Sequence, residues 1–202
     1  MSGETGAPWT GQSDWREPSL PQPGRRRPAP GQLALVQSFI NSHYDLELDH
    51  GADLFATPRA LARWLERRRL ISPSRLTQGD VERVVAVREG LRALARGSGE
   101  LAELNHAAGG VAIELRFAIA GPRMVPGAGS AIDRALALVL STAARAMIDG
   151  SWEKLKICPG DDCGWAFYDH SRNQSGRWCS MAVCGGRAKA RAHYRRHRGE
   201  GP

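Results

Sequence analysis

Cys158-Pro159-Gly160-Asp161-Asp162-Cys163 and, after fifteen intervening residues, Cys179-Ser180-Met181-Ala182-Val183-Cys184 contain every cysteine of the 202-residue chain. Four residues separate the members of each pair, a spacing that lets both thiolates reach one ion at about 2.3 Å. Pro159 and Gly160 suit the turn that wraps the first pair around a metal. Four soft sulfur ligands in two pairs favour a single tetrahedral zinc and leave no open position for a catalytic water. An iron–sulfur cluster, two disulfides and four independent thiols are the competing readings. A cytoplasmic setting argues against disulfides, and the paired spacing argues against independent thiols. His193 and His197 also stand four apart, but only eight residues separate Cys184 from His193, short of the roughly twelve of a finger built on two cysteines and two histidines. A segment of about 50 residues holds too little apolar surface to be safe alone, and a structural zinc contributes on the order of 10 kcal/mol.

Around these cysteines the composition is aromatic and then basic. Trp165, Phe167, Tyr168 and Trp178 are read as the small core of the module rather than as base-stacking platforms. Of the net charge of +7, most of the excess lies at this end: residues 151–202 hold 10 basic and 5 acidic side chains, residues 1–150 hold 18 and 16. Arg172, Arg177, Arg187, Lys189, Arg191, Arg195, Arg196 and Arg198 follow one another without an intervening Asp or Glu. Such a run favours a polyanionic partner, because neutralising phosphates releases counterions. Residues 187–198 are good helix formers with no breaker, and helical spacing sets Arg187, Arg191, Arg195 and Arg198 on one face. Ala188, Ala192 and Tyr194 are expected to face the zinc core.

Further toward the N-terminus the pattern changes to that of a larger domain. Leu33, Val36, Phe39 and Ile40 predict a first helix, and Thr57-Pro58 opens a second that turns Leu61, Trp64 and Leu65 inward. Thr77 to Asp80 reads as a capping box, opening a third helix that buries Val81, Val84, Val85 and Leu91, with Gly90 a weak point. Val111, Ile113, Leu115, Phe117 and Ile119 alternate with Ala112, Glu114, Arg116 and Ala118, the period of a half-buried strand. A long helix over 130–149 carries Ile132, Leu136, Val139, Leu140, Ala143 and Met147 on one side, and Gly150 ends it. Residues 1–30, with six prolines and Arg25-Arg26-Arg27, read as a disordered arm. The fold class is therefore α+β: a mainly helical domain with a small sheet over 31–150, then a four-cysteine zinc finger with a basic helix over 151–202. Residues 31–150 contain no cysteine and are expected to fold without the finger.

Cys163-Gly164-Trp165, Trp178 to Gly185 and Arg187-Ala188-Lys189-Ala190-Arg191 resemble the CGNR zinc finger of bacterial proteins. Leu35, followed after three residues by Phe39-Ile40-Asn41-Ser42, is similar to the opening helix of the ABATE domain that precedes this finger. The resemblance covers about residues 33–198. It implies a helical sensing domain and a member of a group regarded as stress-linked transcription regulators. One position departs, since Gly186 stands where the naming tetrapeptide has asparagine. If that residue caps the helix, glycine costs only a few tenths of a kcal/mol.

The functional expectation is a DNA-binding transcription regulator whose first domain senses a small molecule or a partner. A zinc-stapled protein-interaction module and an RNA-binding protein are the alternatives. Catalysis is not expected, because the chain has no HExxH, no Gly-x-Ser-x-Gly and no phosphate loop. His43, Asp45, Glu47, Asp49, His50 and Asp53 form a polar cluster read as a solvated loop rather than a second metal site. No stretch approaches the roughly 18 to 20 apolar residues of a membrane span, and residues 1–30 lack the apolar core of a secretory signal. A cytoplasmic location is therefore expected.

Overall fold

The computed structural model describes residues 22–43, 53–98, 101–160 and 163–197. Among these residues six α-helices and two small sheets occur in the order α1 (Leu33–Ile40), α2 (Pro58–Arg67), α3 (Gln78–Arg96), α4 (Ala102–Ala108), β1 (Ile113–Ala118), β2 (Gly121–Pro126), α5 (Ala131–Ile148), β3 (Leu155–Ile157), β4 (Ala166–Tyr168) and α6 (Gly186–His197). Local chemistry sets the ends of the longer helices. Thr57 Oγ1 accepts from Ala60 N at the start of α2. Thr77 with Asp80 and Ser130 with Asp133 form full capping boxes on α3 and α5. Gly97, at φ 79°, ends α3 in the left-handed region, where its N–H reaches Leu94 O and that of Ser98 reaches Ala93 O.

Helix α1 is buried along its whole length and lies at the centre of the core. Phe39, Phe55 and Trp64 pack together with ring centroids 5.2 to 6.0 Å apart. Gly90 has a packing reason to interrupt α3, because a Cβ there would lie 2.5 Å from Leu104 Cβ, so glycine lets α4 settle on α3. Arg83 then ties three elements together, donating to Ala107 O, Gly109 O and Asp133 Oδ1. Val85 and Leu140 are only partly buried and Met147 is 49% exposed, so the apolar faces of α3 and α5 are narrower than expected; Val87 takes the inner position on α3.

Arginines are buried in this core and bonded there. Arg88 is 2% exposed and grips Asp53 with two bonds of 2.6 and 2.8 Å. Burial opposes the Asp53 charge, yet the Arg88 guanidinium and the Phe55 N–H hold its carboxyl below the usual value. Arg92 donates to Ile40 O, His43 O and Gly164 O, joining α1 to a loop more than 70 residues further on.

Two further sequence expectations change. The strand expected over 111–119 forms as β1 and pairs antiparallel with β2, but its apolar side chains are uncovered: Leu115 is 58% and Phe117 80% exposed. Of the arm expected over 1–30, residues 1–21 lie outside the described ones, whereas Ala29 is buried and Arg26 docks on the finger. Of the polar cluster, Asp45, Glu47, Asp49 and His50 lie outside the described residues.

Near Ser151 the helical domain and the finger share side chains of one core. Strands β3 and β4 pair in the register Leu155↔Tyr168, Lys156↔Phe167 and Ile157↔Ala166. Alternation sends Leu155, Ile157, Ala166 and Tyr168 into the same core as α1 and α3, while Trp165 and Phe167 join the cysteines in a second, smaller core. Asn41 closes the seam by treating Ala166 as a strand partner, donating to its carbonyl at 2.8 Å and accepting from its N–H at 2.7 Å. Gln37 donates to the same carbonyl at 3.0 Å. Residues 31–150 alone would therefore leave part of their core and these amides uncovered.

Asn41→Ala is expected to destabilise the whole chain by about 2 to 3 kcal/mol, because it strands a buried N–H of Ala166. Chemical denaturation followed at tryptophan measures this; a loss below about 0.5 kcal/mol would show that the seam does not couple the two cores.

Candidate metal centre

Cys158 leaves the end of β3, and its N–H bonds to Trp165 O at 2.9 Å, which folds the first pair into a tight knuckle. The N–H of Cys163 turns back to Gly160 O at 3.0 Å. A side chain at Gly160 would crowd the sulfurs, its Cβ lying 3.2 Å from Cys163 Cβ and 3.5 Å from Cys184 Sγ. Of the second pair, Cys179 precedes and Cys184 rides on a wide helical turn, Met181–Gly185, that runs directly into α6. Ser180 starts this turn, accepting from Val183 N through its hydroxyl and from Gly185 N through its carbonyl.

All four Sγ atoms lie within 4.8 Å of one another. Cys179 Sγ is 3.6 Å from both Cys163 Sγ and Cys184 Sγ. A tetrahedron of sulfurs at about 2.3 Å from zinc has edges of about 3.8 Å, so the cluster has the size the ion requires. None of the four is in a disulfide. His193 and His197 meet edge to face on exposed α6, with ring centroids 4.2 Å apart, and do not belong to the thiol cluster. The four cysteines are thus positioned to bind one metal ion, a structural zinc whose shell they close; the ion supplies the cross-link between the two knuckles.

Without a cation, four thiols this close share their protons unequally. Hydrogen bonds from Cys163 and Cys179 bring Cys158 down to about 2, while the Cys158 thiolate pushes Cys163 up to about 12. Cys179 is raised by the same two neighbours, and Cys184 chiefly by burial.

A second polar knot holds the loop between β4 and Cys179. Asp169 is 1% exposed; it accepts from Lys156 Nζ, Ser171 N and Oγ, and Gly176 N. Burial disfavours its charge, but these donors outweigh it and hold the carboxyl well below the usual range. Lys156 also donates to the carbonyls of Gln174 and Gly176. The Asp-x-Ser spacing of an Asx turn was a legible signal for this loop. Arg26 had no such signal. It donates to Cys179 O and Trp178 O, both at 2.8 Å, and stacks over Phe167 at 4.7 Å, reaching more than 150 residues along the chain.

The basic residues singled out in the sequence fall on two parts of the finger. Arg187, Lys189, Arg191, Arg195 and Arg196 lie on α6, where no residue is buried, and Arg172 and Arg177 lie on the loop before Cys179, with Arg177 over the Trp178 ring at 5.2 Å. Arg198 lies outside the described residues. Tyr194 is 68% exposed and does not join the finger's core, in contrast to the expectation for that position. Gly186 is not a cap: its φ and ψ of −63° and −47° are helical, and Ser180 performs the capping six residues earlier.

Two family models match the chain. The CGNR zinc finger matches residues 154–197, and the ABATE domain, described as "Putative stress-induced transcription regulator", matches residues 33–150. No curated protein matches it.

Two outcomes are expected. Zinc binding at neutral pH should release protons, because the thiols must ionise to bind the metal, so affinity should fall as pH falls. Calorimetric titration in buffers of different ionisation heat counts them, and a count near zero contradicts a cluster whose thiols ionise on binding the metal. Separately, Gly186→Ala should stabilise the finger by about 0.5 to 1 kcal/mol through helix propensity, because only Met181 O lies near its Cβ position, at 3.7 Å. Gly185→Ala should gain less or nothing, because Met181 Cε and Sδ, 2.9 Å from the added carbon, must swing aside, which the free end of that half-exposed side chain can do. Thermal melts of the zinc-loaded protein compare the two.

Proposed function

The chain belongs to the ABATE family and carries a CGNR zinc finger after that domain, and from this premise we propose that it is a transcription regulator that binds duplex DNA through α6. The observation that carries the reading is the helix itself. Over twelve residues α6 has five Arg or Lys side chains, no acidic residue and no buried residue, and it is anchored at one end to the cysteine cluster. A charged helix held rigidly at its root presents guanidinium groups to a groove or to phosphates without first having to be ordered.

Arg187, Arg191 and Arg195 recur every four residues along one side of α6, and Lys189 and Arg196 lie on the other side. Arg172 and Arg177 extend the positive surface onto the adjoining loop. The role of the zinc is to hold this arrangement; four sulfur ligands leave no position for substrate, which supports binding rather than catalysis. In the same reading the ABATE domain receives a small-molecule or protein signal. The shared core along β4 offers a path by which a change in α1 or α3 reaches the finger. No helix of the described residues is long and apolar enough to cross a membrane.

Replacing Arg187, Arg191 and Arg195 together with alanine should abolish sequence-specific binding while zinc content and fold persist. Each phosphate contact contributes about 0.9 to the slope of log affinity against log salt, so loss of three flattens it by up to about 2.7. A salt titration of duplex binding by both proteins is the test. Equal slopes and affinities remove α6 from the interface, and stronger competition by RNA than by duplex DNA overturns the choice of nucleic acid.

A further inference from the structure

Strand β1 has one partner among the described residues, β2, and its other edge is open. Which groups point to that edge follows from the hairpin. The two-residue turn Ile119–Ala120 joins Ala118 to Gly121, so Ala118↔Gly121 is a hydrogen-bonded pair and bonding alternates along the ladder. Gly127 N donating to Ala112 O at 2.8 Å confirms the phase. Ala112, Glu114, Arg116 and Ala118 therefore bond toward β2, and the N–H and C=O groups of Ile113, Leu115 and Phe117 point outward. On the far edge of β2 the same alternation places Pro122 and Pro126 opposite Phe117 and Ile113, where prolines remove the outward donors. One edge of the hairpin is thus closed to pairing. The other is open and carries neither Pro nor Lys.

The side chains beside the open edge are apolar: Ile113 is 40%, Leu115 58% and Phe117 80% exposed. Their face continues into a cleft of about 540 Å³ between the hairpin and α5, whose lining includes Leu115, Met124, Leu138 and Ile148 together with Arg123 and Arg145. Glu114 and Arg116 occupy the other face and are paired to each other at 2.7 Å.

We propose that β1 pairs antiparallel with β1 of a second copy of this chain, about a two-fold axis at Leu115, to make a four-stranded sheet. Charge selects both the partner and the register. Because only Ile113, Leu115 and Phe117 offer outward groups, the substantially overlapping two-fold registers centre on residues 114, 115 or 116. Centring on Glu114 sets Glu against Glu, and centring on Arg116 sets Arg against Arg. Centring on Leu115 sets Glu114 opposite Arg116 of the second copy, twice, and Ile113 opposite its Phe117, a favourable β-branched and aromatic pair. The strand is complementary to itself.

The test uses full-length, zinc-loaded protein and sedimentation equilibrium. The wild type should be a dimer. Glu114→Arg and Arg116→Glu, made singly, each place like charges opposite one another and should weaken self-association about tenfold or more. An equimolar mixture of the two single variants should restore a dimer, and so should the chain carrying both substitutions, outcomes that misfolding cannot produce. A monomeric wild type overturns the proposal, as does a dimer indifferent to both single substitutions or a mixture that fails to associate.

Discussion

Three residues of strand, Ala166 to Tyr168, carry the junction on which the rest of the molecule depends. A strand has two faces, and here each face belongs to a different core: Ala166 and Tyr168 complete the helical domain, and Phe167 completes the cysteine cluster. Asn41 and Gln37 supply side-chain bonds along the edge of β4 that a neighbouring strand would otherwise provide. Stability introduced on one face is consequently felt on the other. Zinc binding to such a cluster is worth an apparent free energy of about 10 kcal/mol or more, and the backbone it fixes is the backbone that closes the helical core. The metal is a staple for more than its own loop.

The buried arginines belong to the same logic. Arg88 neutralises Asp53 inside the core, and Arg92 gathers carbonyls from the end of α1 and from Gly164 beside β4. A guanidinium can satisfy several acceptors in one plane, which lysine cannot, and the chain has 25 arginines against three lysines. At these positions arginine is structural, because backbone carbonyls would otherwise be buried without donors.

Features set by neighbours a few residues away were legible in the sequence. The cysteine pairs must reach one ion, and the Thr77 and Ser130 capping boxes satisfy amides three positions on, so spacing alone reveals them. Features set across the chain were not. Asn41 looks like the polar end of an apolar helix until Ala166 is placed beside it. Gly90 looks like a defect until Leu104 lies against it. The alternation from Val111 to Ile119 correctly announced a strand, but a pattern of apolar residues states only that one face needs cover. It does not say which part of the molecule provides it, and among the described residues the helices leave Phe117 exposed.

Arg26 carries one more consequence. Its bonds to the carbonyls of Trp178 and Cys179 pin residues 22–29 across the finger, and Arg25 and Arg27 on either side of it remain exposed. The electrostatic field at the finger is therefore assembled from both ends of the polypeptide. Two of its positive charges are contributed by a segment that a division of the sequence into modules would assign elsewhere, and their separation from α6 is a matter of fold rather than of tether length. An isolated finger cut from this chain would carry a weaker field than the one it has in place.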